Sequence, residues 1–244
     1  MNLIFILCLG ISNAKQDIVE VASATETLMY FPLVNELLVK SGLQAKYSSF
    51  PSERSLMMLK NGEVDIEFFR VKKTVKGLNV PTKLIGPALC SDIVAFVRVD
   101  SNFNIKKPED FKKYKVAAHL GNKVVEEFAR TYTVAQQTPI SNLESPYLML
   151  EKKRVDVVVD NERMGLVEIR KLNLEKVIKI DGPVLQSTPA YIVLRNHIDL
   201  WGPIIESNFK KMKVNGSWDS GFSALSVKSG IPSDVAIRCL KPSK

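Results

Sequence analysis

Histidine and cysteine are scarce in this chain: two of the first, His119 and His197, and three of the second, Cys8, Cys90 and Cys239. No Cys-x-x-Cys pair and no Cys/His cluster occurs, so metal and thiol-redox sites have no support and no cofactor is expected. A Gly-x-Ser-x-Gly elbow, an HExxH helix and a phosphate-loop lysine motif are also missing. What remains for an enzyme is a pair of carboxylates, Glu26 and Asp160, that an acid–base reading would have to use. The net charge is +8, but its lysines are scattered in pairs such as Lys72-Lys73 and Lys210-Lys211. Scattered pairs read as a solvated face, whereas a nucleic-acid reader needs a concentrated basic stripe or stacking aromatics. No stretch is long and apolar enough to span a bilayer of about 30 Å as a helix.

The first residues, MNLIFILCLGISNA, carry no charged side chain, run apolar from Leu3 to Ile11 and end in a small-x-small pattern. They read as a secretory leader over 1–14, cut after Ala14, with a buried N-terminal strand as the alternative. The mature chain is then expected in the periplasm, as a monomer. Cleavage leaves Cys90 and Cys239, an even pair that in an oxidising compartment is either a disulfide or two separate buried thiols.

What the sequence has is one unit, twice. From Glu53 to Arg70, ERSLMMLKNGEVDIEFFR, apolar residues at helical spacing lead to a turn at Asn61-Gly62 and then to a β-rich run ending on an arginine. Tyr147 to Glu162, YLMLEKKRVDVVVDNE, repeats the order, with Val155-Asp156 standing for Val64-Asp65. One copy in each half of a two-lobed protein is the simplest reading. Around the first copy the chain reads as a strand to Ala24, a helix over 28–41, and a strand over 43–50. This is the alternation of a parallel sheet covered by helices. In such sheets ligands sit beyond the carboxyl ends of the strands, which places 23–26, 50–54 and Phe69-Arg70 on one rim. Further on, Val71 to Leu84 reads as a basic loop and 91–99 as a strand. Tyr114 to Leu120 reads as a strand running into Gly121-Asn122 and a helix. Separate strands over 176–180 and 190–194 flank a crossing that begins at Gly182-Pro183.

These pieces, taken in order, resemble the extracellular solute-binding proteins of family 3, the periplasmic receptors that deliver polar amino acids to ABC importers. RSLMMLKNGEVDIEFF is similar to the family's helix-turn-strand, KKPEDFKKYKVAAHLGNKVVEEF to its lobe-linking segment with strand-Gly-helix, RVDVVVDNE to its second-lobe strand ending in an aspartate, and NFKKMKVNGSWDSGF to its C-terminal helix pair. The resemblance covers nearly all of the mature chain. It implies an α/β, two-lobed type II periplasmic-binding-protein fold, each lobe a central sheet flanked by helices, with two crossing strands as hinge. Lobe 1 would comprise 15–99 and 188–244, and lobe 2 would comprise 100–187. It further implies a small polar ligand and, as partner, either an ABC permease or a membrane sensor. The family's Thr-Pro-Glu-Arg segment, whose arginine holds the ligand carboxylate, is absent: the loop here reads VKKTVKGLNVP. Arg70 stands at the strand end instead, as in a branch that also carries a segment like Leu78-Asn79-Val80-Pro81.

Arg70 and Asp160 fall at nearly the same place in the two copies. Across a closed cleft they would offer an anion fork and an acidic acceptor, the pairing a zwitterion requires. The alternatives are a surface arginine stacked on the lysine-rich loop and, for Asp160, a helix N-cap. Gly121 and Asn122 offer backbone N–H groups at a helix N-terminus, unless the glycine only makes a tight turn. Arg54 is a second candidate anion contact or a solvated first-turn side chain. Glu26 lies on the rim, and Tyr30 and Phe69 stack on a ligand or belong to the core. His119, one turn from Gly121, reaches the cleft or is simply hydrogen-bonded.

Overall fold

The computed structural model describes residues 17–119, 121–133 and 145–237. The expected leader and Cys239 lie outside the described residues. The first three strands are β1 (Asp17–Ala24), β2 (Leu43–Phe50) and β3 (Ile66–Val71). The helices between them are α1 (Phe31–Lys40) and α2 (Ser52–Asn61), with a 3-10 turn over Thr25–Tyr30 leading into α1. Gly62 stops α2 in the left-handed conformation, φ 76°, its N–H bonded back to Leu59, as the Asn-Gly pair predicts. β1 pairs in parallel with both β2 and β3.

Two long strands join the halves of the molecule. β4 (Lys83–Arg98) and β7 (Ile178–Leu194) pair antiparallel along their lengths and lie side by side in a single seven-stranded sheet of order β2-β1-β3-β7-β4-β6-β5. The two strands expected over 176–180 and 190–194 are thus one. Gly182 does not break it but sits at a slip in the pairing, at φ 79°, where a Cβ would fall 1.8 Å from the carbonyl oxygen of Ile105. The basic stretch read as a loop after Val71 contains a short helix, α3 (Lys72–Lys76), with Val75 buried beneath it.

The second half contains β5 (Val116–Ala118), α4 (Lys123–Tyr132), α5 (Pro146–Glu151), β6 (Val157–Asn161) and α6 (Glu162–Lys171). The chain then returns through β7 to α7 (Ile198–Val214), α8 (Ser217–Lys228) and α9 (Ser233–Ile237). Hydrophobic residues gather on both faces of each half-sheet. In the first half, Val19, Val21, Phe68 and Ile192 pack beneath α1, α7 and α8, while Ala22 and Val193 pack beneath α2 and α3. In the second, Val94 and Phe96 face Tyr147 and Ile169, and Ile93, Ala95 and Val97 face Phe111 and Phe128. The alternation of β4 between two cores is what its near-continuous apolar run dictates. No helix among the described residues is long and apolar enough to cross a membrane.

Candidate functional site

A cleft lies where the two halves meet, at the carboxyl ends of β1 and β3 and opposite the amino end of α4. Its cavity is about 110 Å³, lined from the first half by Glu26, Tyr30, Ser52, Glu53, Phe69 and Arg70. From the second come His119, Gly121, Asn122, Lys123, Asp160 and Arg163. All but one of the residues that the sequence proposes for a ligand are therefore here. Arg54 is the exception: it is exposed on the outer side of α2, with its guanidinium 4.9 Å from the centre of the Phe50 ring.

Arg70 reaches the rim through a break in the alternation of β3. Ile66 and Phe68 face the first core, while Glu67 points to the opposite side, where Ser55 of α2 donates to it at 2.5 Å. The pairing with β7 then slips, so that Phe68 faces Ile192 and Arg70 faces Tyr191. Phe69 is left over, left-handed at φ 68°. A one-residue bulge reverses the parity of everything after it, so Arg70 lands on Glu67's side of the sheet. There its Nε and Nη2 donate to Glu67 Oε1, Nη1 donates to Ser52 Oγ at 2.6 Å and Nη2 to the Ser52 carbonyl at 2.8 Å. Of the five N–H groups of a guanidinium, one on Nη1 is left over. The freed Phe69 ring meets Tyr30 edge-on at 5.4 Å, and Tyr30 in turn stacks on Phe222 at 4.5 Å. An aromatic wall results.

Asp160 is buried and fully engaged. Its Oδ2 accepts from the Tyr147 hydroxyl at 2.9 Å and from His119 Nδ1 at 3.1 Å, and its Oδ1 accepts from the backbone of Asn161 at 2.7 Å. Burial first, then Asp160, holds the Tyr147 hydroxyl well above its ordinary pKa, so it stays a donor. The cap of α6 comes from the neighbouring Asn161, whose side chain accepts from Arg163 and Met164. His119, held by this carboxylate, lines the cleft beside it. Its pKa is raised chiefly by the hydrogen bond to Asp160, with burial opposing and Asp160, Glu26 and Glu168 adding to the rise. At the amino end of α4, Asn122 caps Val124 and Val125, and Gly121 N–H donates to Glu126 at 2.7 Å. The Gly121 N–H expected to receive an anion is thus satisfied within the helix turn.

The sequence reading misses Arg163, the second residue of α6. It is 2 % exposed and lines the cleft, with Nη1 donating to the Cys90 carbonyl, Nη2 to the Val235 carbonyl, and the guanidinium 5.4 Å from the Phe222 ring centre. A helix-start arginine looks solvated from sequence; only the return of α8 and α9 over it makes it interior. Cys90 on β4 is disulfide-bonded. Across the cleft mouth Lys123 of α4 meets Glu53 of α2 at 3.0 Å, and Lys73 of α3 meets Glu127 of α4. These exposed pairs contribute only about 0–1 kcal/mol each, but they show the halves in contact. Among the described residues no group of three or more His, Cys, Asp or Glu side chains is placed to hold a metal.

The raised pKa of His119 makes a signed prediction. A group protonated more readily when folded contributes stability that is fully present below its unfolded pKa, near 6.5, and lost as pH rises through the folded value. Denaturant midpoints should therefore fall on going upward from pH 6.5, and His119→Gln should flatten that part of the profile. An unchanged slope in the variant would show that other groups set it.

No protein-family model matches the sequence, and comparison with curated proteins finds no match. Solved structures do match. The ligand-binding core of GluR0 from Nostoc punctiforme, in complex with L-glutamate, superposes with a TM-score of 0.65 at 18% identity, over 85% of this chain and 98% of that one. An ancestral arginine-binding protein bound to arginine gives 0.67 at 19%, over 85% and 97%. A histidine kinase sensor domain with similarity to periplasmic binding proteins gives 0.66 at 15%, over 87% and 96%. The chain has the two-lobed α/β fold of the type II periplasmic binding proteins, the fold of the solute-binding proteins that its motifs resemble.

Proposed function

We propose that this protein is a periplasmic solute receptor that closes its lobes on a small polar molecule, amino-acid-like or anionic, and presents it to an ABC importer. The observation that carries the reading is the cleft itself: a space between two lobes, walled by aromatics and by side chains of both signs. A cavity of about 110 Å³ suits a small molecule. Exposed Glu26 supplies an acceptor for an ammonium group, and His119 faces it across the cleft. Lobe 1 would be entered and left where β4 and β7 pass the cleft, the leader over 1–14 would direct export, and the receptor would act as a monomer without catalysis. The likeness to a kinase sensor domain favours sensing as the second reading; a permease and an ATPase encoded beside the gene would favour import.

Thermal-shift screening of the mature protein against amino acids, short peptides and organic acids tests the reading. A genuine ligand at a hundredfold excess over Kd stabilises by about 2.7 kcal/mol, a clear upward shift in Tm. A panel that moves nothing counts against solute binding.

A further inference from the structure

Arg70 and Arg163 both line the cleft, yet they are not equivalent cations. Arg70 is already neutralised by Glu67, which is wholly buried. Arg163 is also buried, but it pairs with no carboxylate among the described residues: its acceptors are two neutral carbonyls and an aromatic face. Its Nε–H, buried as well, has no acceptor among them. A guanidinium taken out of water without a counter-charge is costly, and one N–H left unbonded adds to that cost. Such an arrangement is stable in function when a partner arrives from outside. The open space that Arg163 borders is the cleft, and the neighbouring Tyr30 hydroxyl already feels its charge.

We propose that Arg163 is the cation that receives the carboxylate of the ligand, and that Arg70 instead holds the rim in shape through Glu67 and Ser52. The inference rests on the solute-binding reading above and sharpens it to carboxylate-bearing molecules. It also assigns a consequence to the other contacts of Arg163. The same guanidinium binds the carbonyl of Cys90, on a crossing strand, and that of Val235, in the returning segment. A carboxylate drawn onto Arg163 therefore engages lobe 2, the hinge strand and the C-terminal helix through one side chain.

The test is a titration of the full mature chain with the standard amino acids, each beside its α-carboxamide, and with succinate and inorganic phosphate, read by calorimetry. Wild type should bind at least one free acid, with its amide about a hundredfold weaker or worse, the scale of unpairing a buried charge. Arg163→Gln, checked for folding by circular dichroism, should bind that acid no better than the amide. A purely structural arginine would lower Tm without erasing the acid–amide difference. An acid bound equally well by Arg163→Gln, or hits confined to amides or phosphate, overturns the assignment and leaves solute binding intact. A panel without any hit overturns both. Should the variant not fold, a crystal structure of wild type with the acid decides: the carboxylate on Arg163 supports the inference, and on Arg70 or elsewhere overturns it.

Discussion

Glu67→Ala should lower the stability of the protein by about 3–5 kcal/mol, the range found when one member of a buried ion pair is removed. Glu67 is 0 % exposed and is the acceptor for three donors: the Ser55 hydroxyl and two nitrogens of Arg70. Without it, a guanidinium lying mostly out of solvent keeps only Ser52, and the hydroxyl of Ser55, itself buried, loses its acceptor. Replacing both charged residues, as in Glu67→Leu with Arg70→Leu, should cost distinctly less than Glu67→Ala alone, because no unpaired charge is left behind. Urea titration checks both, and an unchanged m-value confirms that the native state and not the unfolded chain was altered. A loss below about 1 kcal/mol for the single variant would mean that water reaches Arg70 and the pair is effectively a surface one.

Trp218→Ala should cost a similar amount, about 3–5 kcal/mol. The indole is completely buried beneath α8, 4.8 Å edge-on from Phe209, and its Nε1 donates to the Ala88 carbonyl at 3.0 Å. Truncation opens a cavity that the β4 backbone on one side and α7 on the other cannot collapse to fill. Trp218→Phe separates the two contributions, keeping most of the packing and removing the donor, for a loss nearer 1–3 kcal/mol. Ala88 lies two residues before Cys90, whose carbonyl Arg163 binds. The alanine variant should therefore also loosen the cleft and weaken any ligand found, an effect readable as a faster dissociation rate.

Local chemistry makes the helix-turn-strand units legible from residue type and spacing: Asn61-Gly62 can do little but turn, and Leu56 and Leu59 at helical spacing need a sheet to pack on. The order of units identifies the two-lobed fold, and strand ends mark the rim on which Glu26, Phe69 and Arg70 sit. Illegible is what depends on parity or on distant chain. Arg70 reads as a free fork because strict alternation would put it opposite to Glu67; one left-handed residue, Phe69, brings the two together. Gly121 reads as an open anion seat because Glu126, five residues on, does not announce that it folds back. Asp160 and Asn161 are equally good caps by residue type, and only the fold shows that Asn161 caps α6 while Asp160 binds Tyr147 and His119. Arg163 is interior because segments more than fifty residues later close over it.

β7 is inserted between β3 and β4, and this sets an order of events on the ribosome. β1, β2 and β3 emerge first, but the strand that pairs with β3 and the helices that cover its core, α7 and α8, belong to the last third of the chain. The second lobe, by contrast, draws its core from the nearly contiguous stretch between Ile93 and Leu185. The half that is synthesised first is therefore completed last, holding the edge of β3 and the apolar faces of α1 and β1 uncovered until the C-terminal segment arrives. For a chain that crosses a membrane before folding this delay is harmless. In the cytoplasm it would leave an aggregation-prone edge exposed for as long as the chain is incomplete.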